Sequence, residues 1–250
     1  MKNDATFRWK LPPGYLFKII PAILFVQKRI FREDSIQVLK SADIKTVTTG
    51  SRNIPKEGPV LFLVNHYSAP GFNALWLAMS ISAACSKNIT WVMTDAWTFP
   101  KRRFRKLARG VSHLILARIA KVYGFFSFQP ISPDPINVME QALSIRRVLH
   151  FARDYPESML SIAPEGRDNS DEKIGIPPPG VGLLINAFIK LNYHLVPIGF
   201  IATRGTCHLN FGKPIHLSVK DSLEKDEFDG KISLQVMKSI GKLLPKKFRK

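Results

Sequence analysis

The chain has little to staple it together and nothing built to cross a bilayer. Only two cysteines, Cys85 and Cys207, occur in 250 residues, in apolar or strand-like surroundings without metal-ligand spacing. That sets aside a disulfide scaffold and a zinc site, and it suits a reducing cytosolic side. No uninterrupted apolar run approaches the roughly eighteen residues of a spanning helix, so no transmembrane segment is expected. The nearest stretch, Gly14 to Val26, is broken by Lys18 and Pro21 and flanked by Lys28, Arg29 and Arg32. No small-residue cleavage site follows it, which makes a cleaved signal peptide a poor fit. It reads as an amphipathic helix, lying in a membrane interface or packed over the domain, with the interface favoured. Acidic residues are also scarce, 19 against 37 Lys and Arg, leaving a net charge of +18. Such a balance calls for a polyanionic partner: an anionic membrane surface, nucleic acid or an acidic substrate. Finally, no G-x-S-x-G is present, and Ser68 has no nucleophile elbow around it, which argues against serine hydrolase chemistry.

What is present is alternation. The run Val60 to Val64 (VLFLV) has the length and composition of a buried strand, and Asn73 is placed to cap a helix that follows it. Ahead of it, Ile44 to Thr49 is β-branched and strand-like, so the first unit is two adjacent strands joined by a short link. Ile89 to Thr94 is a third strand, reached through the helix and therefore parallel to the second. Lys101 to Lys121 is basic with apolar residues at helical spacing, and Val122 to Phe128 reads as the next strand. A helix over Pro135 to Arg153, a strand over Ser158 to Ala163, a turn-rich loop from Ser170 to Pro179 and a helix from Gly180 to Lys190 follow. Strands at 195 to 200 and 207 to 211, then a helix from about Lys231 to Leu244, complete the pattern. The tail Lys246 to Lys250 reads as a solvated end. Strands alternating with helices give an α/β fold with a mostly parallel central sheet flanked by helices. The divisions are an N-terminal amphipathic, membrane-interface helical segment (1 to 43), an α/β domain (44 to 220) and a C-terminal helix with a basic tail (221 to 250), all one globular unit. Trp76 and Trp91 are core candidates, and Trp97 and Phe99 core or cleft wall. His113, His150, His194, His208 and His216 lack paired spacing and read as structural or exposed.

Two polar loops follow buried strands. Asn65-His66 supplies a candidate general base beyond the end of one strand, where clefts of open sheets form. Pro164-Glu165-Gly166-Arg167 supplies a carboxylate, a tight turn and a cation, a set suited to holding a phosphate. Together and in this order they resemble the phospholipid/glycerol acyltransferase family, the enzymes related to 1-acylglycerol-3-phosphate acyltransferase, over roughly Ile44 to Leu217. Lys56-Glu57-Gly58-Pro59-Val60 leading into Val64-Asn65-His66 is similar to the family's first block, and Ala163 to Arg167 to its third. Leu195 to Phe200 is similar to the fourth, and Phe211 to Ile215 to a common element near the domain's end.

The resemblance implies an O-acyltransferase that moves a fatty acyl group from acyl-CoA or acyl carrier protein to a hydroxyl of a lysophospholipid or related glycerolipid. His66 would be the general base, with Asn65 fixing the loop or, with backbone amides near Gly166, stabilising the oxyanion. Pro164, Glu165, Gly166 and Arg167 would hold the acceptor. No cofactor or metal is implied beyond the thioester co-substrate. The expected location is the cytoplasmic face of a membrane, peripheral or monotopic. Three positions depart from the family pattern. The aspartate expected five residues after the histidine is Gly71. The second block, Gly124 to Pro130, carries no arginine. Asp168 follows Arg167, where the family has threonine then arginine. The lost orienter of His66 would have to be a backbone carbonyl, Asp95, Glu165 or Asp168, with Asp95 at the correct end of a strand. The same departures also fit a catalytically weak or inactive lipid-binding member. Nucleic-acid binding rests on charge alone and is set aside, because the basic-aromatic interleaving falls on an apolar helix rather than on a stacking sheet face.

Overall fold

The sheet is built outward from the apolar run at 60 to 64, which forms strand β2 (Val60–Val64) with all five residues at 0% exposure. A strand covered on both faces needs no alternation, and each large side chain taken fully out of water contributes about 1.5–3 kcal/mol. In this computed structural model residues 9–69, 71–94, 105–128, 135–166, 173–217 and 223–249 are described. The remaining strands are β1 (Lys45–Thr49), β3 (Ile89–Thr94), β4 (Phe126–Phe128), β5 (Met159–Ile162), β6 (His194–Thr203) and β7 (Thr206–Phe211). The helices are α1 (Pro13–Phe25), α2 (Phe31–Ser41), α3 (Ala74–Ala84), α4 (Arg105–Tyr123), α5 (Pro135–Asp154), α6 (Val181–Lys190) and α7 (Lys225–Lys242).

The seven strands lie in the order β1-β7-β6-β2-β5-β3-β4. Pairing is parallel except between β6 and β7, which form an antiparallel hairpin. Right-handed crossovers fix the layers. The steps from β2 to β3 and β3 to β4 run one way along the sheet, which puts α3 and α4 on one face. The steps from β4 to β5 and β5 to β6 run back, which puts α5 and α6 on the other. Helix α2 packs on α3, α1 on α4 and α7 on α6, closing an α/β/α sandwich.

Several expectations are corrected at element level. The first two strands are not neighbours, since β1 sits at the far edge with β7 and β6 between it and β2. Likewise β2 and β3 run parallel, as the crossover requires, but β5 is inserted between them. The strand expected over Val122 to Phe128 is confined to Phe126–Phe128, because α4 continues to Tyr123. It stops there at Gly124 (φ +70°), whose left-handed turn lets the Phe125 amide donate to the Ala120 carbonyl at 2.8 Å. Helix α7 starts at Lys225, a full turn and more before Lys231, with Asp226 and Glu227 in its first turn complementing the helix dipole. Helix α2 lies within the segment 1 to 43 expected to be helical, although the sequence does not mark it off as a separate element. It buries Phe31, Val38 and Leu39 along with Asp34 and Ser35.

The N-terminal stretch is helical and two-sided. Ile19 and Ala22 are buried against the body, while Phe17 is 80% and Phe25 75% exposed, with Ile20 and Leu24 beside them. Its inner side is tied down by a polar chain in which the Tyr15 and Tyr123 hydroxyls pair at 2.9 Å. Tyr123 then donates to Asp34 Oδ2 at 2.7 Å, and Arg29 donates to both oxygens of Asp34. Among the described residues no helix is long and apolar enough to cross a membrane.

Candidate active site

Strands β2 and β5 are neighbours whose onward connections lie on opposite faces of the sheet, and a crevice opens at their carboxyl ends by topology alone. The two polar loops singled out in the sequence leave from these two strands. His66 follows the end of β2 and Glu165 follows the end of β5, 99 residues later, yet the backbone amide of His66 donates to Glu165 Oε1 at 2.7 Å.

The β2 side is held by Asn65. Beyond Val64 the main chain leaves the ladder, and the Asn65 side chain takes over its pairing with β6. Its Nδ2 donates to the Phe200 carbonyl at 3.0 Å, and its Oδ1 accepts the Phe200 amide at 2.7 Å. Of the two roles considered for Asn65, these bonds belong to fixing the loop. Next, Tyr67 donates its hydroxyl to the Ala202 carbonyl at 2.8 Å. Its ring lies edge-on to Phe72, Phe200 and Phe248 at centroid distances of 5.1, 5.6 and 6.3 Å. His66 is half-buried between these two anchors, and its Nδ1 is shut off from solvent. Asn73 caps α3 as expected, accepting the Leu75 amide at 3.0 Å.

The β5 side is a turn closed by the Gly166 amide donating to the Ala163 carbonyl at 3.0 Å. Pro164 shapes that turn, and Glu165 points inward from it at 1% exposure. Its second oxygen accepts the amide of Gly175 at 2.5 Å. A buried carboxylate is expensive unless its oxygens are satisfied, and here charge-assisted bonds from two separate loops do so. Among the described residues, Glu165 thereby ties the His66 loop to the loop at 173 to 179. Asp95, Arg167 and Asp168 lie outside the described residues, as do Trp97 and Phe99.

Gly71 stands in an open, exposed bend with φ +76°, and a Cβ there would meet nothing within 4 Å. The space for a carboxylate exists; the residue does not. Among the described residues no group of three or more His, Cys, Asp or Glu is arranged to hold a metal ion. Trp76 and Trp91 are buried core, and both cysteines are buried and free.

Two residues that shape the site, Gly175 and Phe248, are not marked by the sequence. Gly175 lies in a proline-rich loop whose composition says turn and nothing more. Phe248 falls in a tail whose composition reads as solvated, yet the residue is only 7% exposed. A lone aromatic between Lys247 and Arg249 is the available signal.

No family model and no curated protein sequence matches the chain. A crystal structure of the 1-acyl-sn-glycerophosphate acyltransferase PlsC from Thermotoga maritima is similar in shape, with 15% identity over 92% of this chain and 94% of that one and a TM-score of 0.47. A likeness of that degree carries no chemistry across.

Proposed function

We propose that the chain is an O-acyltransferase, moving a fatty acyl group from acyl-CoA or acyl carrier protein to a hydroxyl of a lysophospholipid or related glycerolipid. The observation that carries this reading is the hydrogen bond from the His66 amide to Glu165. It joins the two sequence blocks that resemble the acyltransferase motifs into one site at the crevice between β2 and β5. In this mechanism His66 takes the proton of the acceptor hydroxyl as that oxygen attacks the thioester carbonyl. The thiolate then leaves and recovers a proton from the imidazolium. Asn65 and Glu165 hold the His66 loop in place, so the histidine needs little reorganisation during the reaction. Backbone amides of the Gly166 turn and the Arg167 side chain receive the acceptor's head group.

The exposed apolar side of α1, with Phe17, Ile20, Leu24 and Phe25, is bordered by Lys18 and Lys28, and Val111 and Leu114 are exposed on the adjoining α4. That pairing of apolar surface with cations, in a chain of net charge +18, supports seating on an anionic membrane. The cytoplasmic face is the side proposed. The test is thioester-dependent acylation of lyso-lipids by the purified protein, and turnover equal to that of His66→Ala would reject the mechanism. A second reading, a lipid-binding member without catalysis, draws on Gly71. Vesicle binding with no transfer across donors and acceptors would select it.

A further inference from the structure

Six residues, His66 among them, form a closed circuit, and one of them comes from the segment beyond α7. The Phe248 carbonyl accepts the Ile174 amide at 3.1 Å. The neighbouring Gly175 amide donates to Glu165, and the His66 amide donates to the other oxygen of that carboxylate. Tyr67 is next in the chain after His66, and its ring returns to the Phe248 ring at 6.3 Å. Ile174 is also lodged against α7, its Cδ1 3.0 Å from where a Cβ on Gly241 would lie. The Phe248 turn is itself pinned. Its amide donates to the Pro245 carbonyl at 3.0 Å, and Arg249 Nε donates to the Leu244 carbonyl at 2.8 Å just past the end of α7.

We infer that Phe248 is a positioning residue for His66, and that the segment 245–249 is a strap holding the His66 and Gly175 loops at their working separation. The functional half of this inference rests on the acyltransferase reading; the structural half does not. Phe248 touches no reacting atom. It acts on His66 from two directions, through the Tyr67 ring on one side and through Ile174, Gly175 and Glu165 on the other. Apolar burial keeps this strap seated although Lys246, Lys247 and Arg249 around it are cationic, because the Phe248 ring lies against the protein interior.

The experiment is site-resolved amide hydrogen exchange on the full chain, wild type against Phe248→Ala and Phe248→Tyr. In Phe248→Ala the amides of His66 and Gly175 should exchange about tenfold or more faster, with the amides of Leu61 to Leu63 unchanged, as a local opening requires. Phe248→Tyr should restore most of the protection. With acyl transfer as readout, Phe248→Ala should lower kcat about tenfold at unchanged KM for the thioester, the signature of a misplaced base. Unchanged exchange at His66 and Gly175, or equal acceleration throughout β2, would overturn the inference. Should Phe248→Ala fail to fold, Phe248→Leu is judged by the same two amides. A wild type with no transfer activity removes the acyltransferase reading alone, since the exchange result still decides whether the strap exists.

Discussion

Glu165 and His66 meet through the backbone amide of the histidine at 2.7 Å. The carboxylate therefore sets where the His66 loop sits, and its other oxygen does the same for Gly175 at 2.5 Å. Replacement by alanine takes the Glu165 acceptor from two N–H donors, the buried one of Gly175 and the partly buried one of His66, at about 1–3 kcal/mol each. Glu165→Ala should accordingly lower unfolding stability by about 2–6 kcal/mol in a urea titration. Glu165→Gln keeps one acceptor but turns a donor toward the other amide, and should fall between wild type and alanine. Both should lose transfer activity.

Gly71 offers a direct test of the missing orienter. Its bend leaves room for a side chain, and aspartate tolerates positive φ better than most residues. Gly71→Asp should cost about 1 kcal/mol of stability. If the site lacks an orienting carboxylate, turnover should rise about tenfold or more. An unchanged rate in a steady-state assay would mean the His66 orientation is already supplied from elsewhere.

Membrane seating predicts a specific sensitivity on α1. Removing both Phe17 and Phe25 as serines deletes two exposed rings, each worth about 1.5–3 kcal/mol when buried in lipid. Sedimentation with anionic vesicles should show at least about a tenfold weaker partition for the double variant, with the melting temperature unchanged. Raising salt should weaken wild-type binding further, because the cations bordering the patch are screened.

High pH should destabilise the fold. Burial pushes the thiol of Cys85 up to about 12 and that of Cys207 to about 11, a hydrogen bond from Ser80 partly opposing the latter. Burial likewise raises the Tyr15, Tyr123 and Tyr193 hydroxyls. Unfolded thiols ionise near about 8.5. Above that pH the unfolded chain binds fewer protons than the folded one, so the free energy of unfolding falls as pH rises. This contribution is intact below about 8.5 and declines through pH 9 to 12. Urea midpoints across that range should decrease, and iodoacetamide at pH 8 should leave both cysteines of the folded protein unmodified.

Local composition makes the elements readable where packing asks for one thing only. Val60 to Val64 is apolar because both faces are covered, and Asn73 is a cap because a helix needs an acceptor there. Strand order is not readable in the same way. That β5 enters between β2 and β3 depends on chain paths over the sheet faces, and nothing in either strand's composition records it. Helix α2 is not legible as a separate element within the helical segment 1 to 43, because its core residues are diluted by Arg32, Glu33, Asp34 and Lys40. At the site, His66 and Glu165 are legible as chemistry but not as a bonded pair. The inward turn of Glu165 depends on Gly175, a residue marked only as part of a turn. Phe248 is masked for a similar reason, as its charged neighbours dominate the tail's composition.

The same strand placement governs how the chain reaches this state. Asn65 must find Phe200, 135 residues further on, and His66 must find Glu165 at a separation of 99. During synthesis the five apolar residues of β2 therefore emerge long before either neighbouring strand exists to cover them. Contacts of such long range slow folding and leave β2 sticky in the interval. The fully buried strand β2 is thus an apolar segment that must wait for both of its partners while the protein is being made.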